Sequence, residues 1–234
     1  MAPLLETIET ETAPNPAASV IWLHGLGADG NDFAPIVDQL NLNGAPALRF
    51  VFPHAPRRPV TINHGFVMRA WYDITFDDLA GNSRGGDAAG IRAAQAQIEA
   101  LIARENTRGV AARNIVLAGF SQGGAVALHT GLRYPEPLAG ILALSAYLPL
   151  AASLSAEASP ANKAIPIFLA HGIFDTVVPL LLATASRAAL TALDYHVDWR
   201  EYPMPHSVCA QEIRDIGEWL LQQLSISNVG AREK

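Results

Sequence analysis

The chain has 234 residues, 50% of them hydrophobic and 16% charged, with 16 basic against 22 acidic side chains and a formal net charge of −6. That length and apolar content suit one domain with a sizeable buried core and exclude a disordered chain. The acidic balance, with no basic cluster beyond Arg57-Arg58, argues against nucleic acid as partner, because phosphate binding needs concentrated positive charge.

From the N-terminus, residues 1–6 (MAPLLE) carry no basic residue ahead of their short apolar stretch, so a secretory signal is not expected. The first compact apolar run is 19–23 (SVIWL), ending at His24-Gly25. A helix from Gly30 or Asn31 to Leu40 follows, then a second run at 48–52 (LRFVF). Residues 53–79 show no period and are rich in aromatics, which marks a long functional loop. Residues 84–104 place Ile91, Ala94, Ile98, Leu101 and Ile102 at three- and four-residue spacings, an amphipathic helix. Further apolar runs lie at 114–118, 140–144 and 165–170, with a more peripheral, alternating strand at 195–201. Helical patterns occupy 124–130, 179–193 and 208–224, and the tail beyond Leu224 is expected to fray.

Strands alternating with helices predict an α/β fold, a mostly parallel central sheet with helices on both faces. No repeat or linker divides the chain, so one domain over 1–234, with an ordered core of about 5–224, is expected. Residues 137–156 carry no charge and are long enough to span a bilayer, but Pro149 and three serines interrupt them. They read as a buried strand and loop, not a membrane span. Cys209 is the only cysteine. It permits no intrachain disulfide, is compatible with a reducing cytoplasm, and reads as a small buried hydrophobe on the C-terminal helix.

The chemistry centres on Gly119-Phe120-Ser121-Gln122-Gly123, placed directly between the run at 114–118 and the helical pattern at 124–130. Gly-x-Ser-x-Gly alone is a weak signal. In a strand–tight turn–helix it holds a serine in a strained conformation above the sheet, at a helix N-terminus whose free N–H groups face developing negative charge. A serine hydroxyl needs a base. Of seven histidines, His206 fits best, in the loop between the last strand and the last helix, whereas His196 falls in a strand and His129 in a helix. The acid belongs between Ser121 and His206 and after a strand, which selects Asp175 over Asp194 and Asp198. The oxyanion requires two backbone N–H groups: that of Gln122, after the nucleophile, and that of Leu26, in the loop after the first central strand. His24 is read as structural.

Six segments then carry a resemblance: Leu23-His-Gly-Leu-Gly27, Arg69-Ala-Trp-Tyr-Asp73, Gly119-Phe-Ser-Gln-Gly-Gly124, Leu144-Ser-Ala-Tyr-Leu-Pro149, His171-Gly-x-x-Asp-x-Val-Val-Pro179 and His206-Ser-Val-Cys-x-Gln-Glu212. They are co-linear and reach across 19–224, and the chain resembles the acyl-protein thioesterase/carboxylesterase family of α/β-hydrolases, also called phospholipase/carboxylesterases. The resemblance implies the α/β-hydrolase fold, the triad Ser121, Asp175 and His206, the oxyanion donors Leu26 and Gln122, and a homodimer. It points to Trp71 as lining the acyl or alcohol site, a core tryptophan being the other reading. Two departures stand out: Ile173-Phe174 replaces a usual polar pair, and Ala146 stands where glycine is common. Either could reshape the pocket or a subunit contact.

Neither a helix-spaced ligand pair nor a nucleotide-binding glycine motif occurs, so no metal and no cofactor are expected. The expected activity is that of a short-to-medium-chain carboxylesterase acting on a small-molecule or lipid ester. Phe66, Val67, Met68, Trp71 and Ile74 in the long loop point to a lipophilic acyl site. An acyl-protein thioesterase or lysophospholipase is the alternative. A catalytically silent binding or interaction module is the reading from another class, and the three filled triad positions weigh against it.

Overall fold

A computed structural model describes residues 4–80 and 86–229. Nine strands appear among them: β1 (Thr7–Glu11), β2 (Ala18–Leu23), β3 (Leu48–Pro53), β4 (Arg57–Val60), β5 (Phe66–Arg69), β6 (Ile115–Phe120), β7 (Gly140–Leu144), β8 (Ile167–Gly172) and β9 (Val197–Tyr202). The helices are α1 (Phe76–Leu79), α2 (Ala88–Thr107), α3 (Gln122–Gly131), α4 (Ala151–Glu157), α5 (Leu180–Ala192) and α6 (Ala210–Val229). Seven strands form one sheet in the order β1-β3-β2-β6-β7-β8-β9, parallel except for the antiparallel edge strand β1.

The central strands are buried on both faces, and side-chain parity sorts their residues into two cores. Ile21, Leu117, Ile141 and Leu169 join the core under α2 and α3, with Ile98, Val126 and Leu128. Their neighbours Trp22, Val116, Leu142 and Phe168 turn to the other face, where Ile36, Ile216, Trp219 and Leu220 cover them. The sheet-and-helix architecture is the α/β-hydrolase fold expected from the sequence.

Several details differ from the sequence reading. Thr7–Glu11 pairs with β3 as a strand whose short, polar run gives no strong pattern. The long loop at 53–79 holds the β4–β5 hairpin and the one-turn α1. The helix expected to begin at Gly30 or Asn31 is a 3-10 turn over Ala34–Gln39 with Pro35 in its first turn. Asp87 caps α2 by accepting from Gly90 N–H, so the helix begins four residues later than Arg84, which itself lies outside the described residues. Cys209 lies just ahead of α6 and is only partly buried. His196 is exposed and immediately precedes β9. Helix α6 reaches Val229, and 230–234, the end of the expected frayed tail, lie outside the described residues. Among the described residues no helix is long and apolar enough to cross a membrane.

Because β2, β6, β8 and β9 run parallel, the loops after all four open on the same edge of the sheet. Those loops carry Leu26, Ser121, Asp175 and His206.

Candidate active site

Ser121 separates β6 from α3 and has φ 54° and ψ −121°, a strained conformation for a non-glycine residue. Packing enforces it. A Cβ on Gly119 would stand 2.4 Å from the Gly123 carbonyl carbon, and one on Gly123 would stand 2.3 Å from Leu23 O. A Cβ on Gly124 would meet the Ala146 Cβ at 2.7 Å. The strand, the turn and α3 therefore pack backbone against backbone, and Ser121 N–H is fixed to Leu144 O at 2.8 Å. Ala146 belongs to this packing beneath α3, not to the cavity wall.

Asp175 and His206 come together from loops laced by main chain. Ile173 N–H donates to Tyr202 O and Phe174 N–H to Met204 O, at 2.9 and 3.1 Å. Gly172 permits the approach, since a Cβ there would lie 2.3 Å from Met204 O. His206 Nδ1–H then donates to Asp175 Oδ2 at 2.6 Å. The carboxylate is fully buried, and its Oδ1 accepts from Val177 N–H and Val178 N–H at 2.8 and 2.9 Å. His171, whose Nε2–H donates to Val178 O at 2.8 Å, also lies 3.3 Å from Asp175 Oδ2. Burial lowers the His171 pKa, so this second imidazole stays neutral beside the acid. With Nδ1 protonated, a neutral His206 keeps its Nε2 lone pair. The ring stacks at a tilt on Phe120, centroids 4.7 Å apart.

The loop after β2 is held by two buried side chains. His24 Nδ1–H donates to Gly25 O at 2.7 Å and Nε2 accepts from Ala55 N–H at 3.0 Å, which requires the neutral ring. Desolvation lowers its pKa to about 4. His24 is thus the structural clamp that the sequence suggests. Trp71 is 2% exposed and donates through Nε1 to His24 O at 2.9 Å. It braces the loop from behind and is absent from the cavity wall. The Gln122 amide bridges Trp71 N–H and Tyr72 O, both at 2.8 Å, a positioning role with no signal in the sequence pattern. Leu26 N–H and Gln122 N–H have no acceptor among the described residues. The latter opens a helix, where no preceding turn supplies a carbonyl.

Ser121, His206, Leu26 and Gln122 share the wall of one cavity of about 330 Å³. Among the hydrogen bonds of the described residues none joins Ser121 Oγ to His206; such contacts commonly tighten only around substrate. Much of the remaining wall is apolar, with Ile62, Ile74 and Leu79, and with Tyr72 and Tyr147, whose hydroxyls bond each other at 2.9 Å. Of the aromatic loop, Ile74 reaches the cavity, whereas Phe66 and Val67 are 72% and 59% exposed on the hairpin. The Arg69–Asp73 segment was the right signal, but the aromatic that faces the cavity is Tyr72, not Trp71. Ile173 and Phe174 are exposed and do not line the cavity. Among the described residues no group of three or more His, Cys, Asp or Glu side chains is placed to hold a metal.

The phospholipase/carboxylesterase family model matches residues 5–224. Acyl-protein thioesterase 1 of Neurospora crassa is 42% identical over 214 residues, covering 88% of this chain and 87% of that protein. The protein of the same name from Mycosarcoma maydis is 37% identical over 228 residues, covering 91% and 94%. Among solved structures, Arabidopsis thaliana SOBER1 superposes with a TM-score of 0.83 at 31% identity, covering 88% of this chain and 99% of that one. Zea mays acyl-protein thioesterase 2 gives 0.78 at 28% identity, covering 93% and 99%. The chain belongs to the phospholipase/carboxylesterase family of α/β-hydrolases.

Proposed function

We propose that this protein hydrolyses acyl esters by a two-step acyl transfer on Ser121. Ser121 Oγ attacks the carbonyl carbon while His206 Nε2 takes its proton. Asp175 holds the imidazole tautomer and stabilises the imidazolium, and the N–H groups of Leu26 and Gln122 receive the oxyanion. His206 returns the proton to the departing oxygen, and water then cleaves the acyl-enzyme by the same route. The observation that carries this reading is the 2.6 Å bond from His206 to a fully buried Asp175, with His206 and Ser121 on one cavity wall.

The cavity volume lies at the low end of the roughly 300–1,000 Å³ typical of small-ligand sites, which favours short-to-medium acyl chains. A second reading, acyl-thioester hydrolysis, is favoured by relatives whose name is acyl-protein thioesterase 1. The two differ in what they ask of His206. A thiolate, with a parent pKa of about 8.5, leaves without full protonation, whereas an alkoxide does not. The single cysteine, with no disulfide to protect, fits a cytoplasmic setting for either activity.

The deciding experiment measures kcat/KM for matched oxygen esters and thioesters across a series of acyl lengths. Preference for oxygen esters with a maximum at short-to-medium chains supports the carboxylesterase reading. Thioester preference at every length supports the second. Turnover by Ser121→Ala at the wild-type rate overturns both.

A further inference from the structure

A second groove, of about 560 Å³, adjoins the first between the 3-10 turn at Ala34–Gln39 and the start of α6. Asp32, Phe120 and His206 line both spaces, and the stacked Phe120 and His206 rings stand at their common boundary. The imidazole that would protonate a leaving group is therefore exposed to two compartments of different chemistry. The first holds Ser121 and the apolar wall of Ile62, Tyr72 and Ile74. The second is more polar, with Gln39 and Ser207 on its wall.

Among the described residues, Asp32 is the only Asp, Glu, Lys or Arg lining either space. Its carboxylate has no ion pair or hydrogen bond from a side chain among the described residues. Asp29, three residues earlier, differs: its Oδ1 accepts from the Asn31 backbone and amide. An unneutralised carboxylate beside a reaction centre biases the field there toward positive charge. Among the described residues no lysine or arginine on either wall offsets it.

Resting on the hydrolase reading above, we propose that the groove receives the leaving group and that Asp32 is the specificity-determining residue that selects leaving alcohols or thiols carrying a cationic group, an ammonium or a guanidinium. The acyl chain occupies the apolar cavity, the scissile carbonyl lies at Ser121, and the leaving oxygen or sulfur passes His206 into the groove. The positive group then sits within electrostatic reach of Asp32. The chemistry at Ser121 is unchanged; Asp32 alters only how strongly the two partners of the ester are held in the transition state.

The test compares two butyrate esters of the same shape, one of choline and one of the neutral isostere 3,3-dimethylbutanol. The readout is the ratio of their kcat/KM values within each variant, so a general loss of activity cancels. For the wild type the ratio is expected to be about fivefold in favour of the choline ester at low salt, the scale of one partly solvated charge pair, and to decline toward one in 0.5 M sodium chloride, an added ionic strength of about 0.5 M. Asp32→Asn is expected to bring the low-salt ratio to about one, and Asp32→Lys to push it below one. A wild-type ratio of one, or a ratio preserved in Asp32→Asn, overturns the assignment. Failure of the wild type to turn over either ester or the matching thioesters is a separate result: it overturns the hydrolase reading and with it the role of Asp32.

Discussion

Asp175 and Glu105 are both carboxylates whose side chains are fully shielded from solvent, at opposite ends of the same sheet. Glu105, on α2, is saturated by cations and a hydroxyl. It accepts from Ser19 Oγ at 2.7 Å, Arg49 at 2.8 Å and Arg108 at 3.0 Å, with Arg104 at 3.4 Å. Asp175 meets no arginine. Its partners are two backbone N–H groups and two imidazoles. The first charge is neutralised permanently and ties the strand beginnings to α2. The second is surrounded by neutral donors, and in the proposed mechanism its field stabilises a proton arriving on His206. Burial alone does not mark a functional acid; the charge state of its partners does.

The comparison predicts opposite outcomes for activity and stability, and the reference point is the proposed nucleophile. Ser121→Ala is expected to lower kcat by about 10⁴-fold or more while leaving the unfolding midpoint nearly unchanged. Asp175→Asn keeps an oxygen for Val177 and Val178 N–H but loses the charge. Its kcat is expected to fall by about 10³-fold or more, again with little change in denaturant midpoint. Glu105→Gln should do the reverse. Arg49 keeps its ion pair with Glu11 at 2.9 Å, but the nearly buried guanidinium loses its fully shielded partner, as do Arg104 and Arg108, at an expected cost of about 3 kcal/mol of unfolding free energy. The kcat/KM of the remaining folded enzyme should stay within about twofold. Were Glu105→Gln to abolish activity at full stability, the contrast between the two carboxylates would be lost.

Acid acts on two other buried side chains, both imidazoles. Desolvation lowers the pKa of His24 from its usual 6.5 to about 4 and that of His129 to about 3. The unfolded chain therefore takes up protons near pH 6.5 that the fold refuses until lower pH. Stability supplied by these rings is complete above about 6.5 and is lost as pH falls toward 4 and 3. Thermal melting between pH 7 and 4 is expected to show this loss, on the order of 2 kcal/mol for each ring. In His129→Gln the decline should be shallower. The smallest effect concerns the cavity wall. Tyr147→Ala breaks the hydroxyl pair with Tyr72 and enlarges the cavity. It is expected to move the optimum of an ester chain-length series toward longer acyl groups, with changes of about fivefold, on the scale of a few methylene contacts.

The site's main chain was largely legible in the sequence, because the reasons are local. Gly119, Gly123 and Gly124 flank Ser121 at the spacing a backbone-to-backbone turn requires, and the parallel order places the loops of Asp175 and His206 on the same edge. What stayed hidden is set by contacts between distant residues. Tyr72 and Tyr147 are 75 positions apart, and nothing in either segment announces their bond. The Arg69–Asp73 motif located the segment that builds the wall, yet Trp71 turns inward to His24 and its neighbour Tyr72 faces the cavity. The edge strand β1, Thr-Ile-Glu-Thr-Glu, has a single apolar residue and so no pattern to read; pairing with β3 forms it. Asp32 belongs to no sequence motif, and only its place between two cavities singles it out.

The central claim is that Ser121 is activated by a histidine that a neutrally solvated carboxylate holds in place. Intact-mass spectrometry with peptide mapping after brief exposure to a fluorophosphonate tests it most directly. The account predicts one adduct per wild-type chain, located on Ser121, none on Ser121→Ala, and labelling slowed by orders of magnitude in Asp175→Asn but not in Glu105→Gln. An unlabelled wild type, or an Asp175→Asn protein labelled at the wild-type rate, would contradict it.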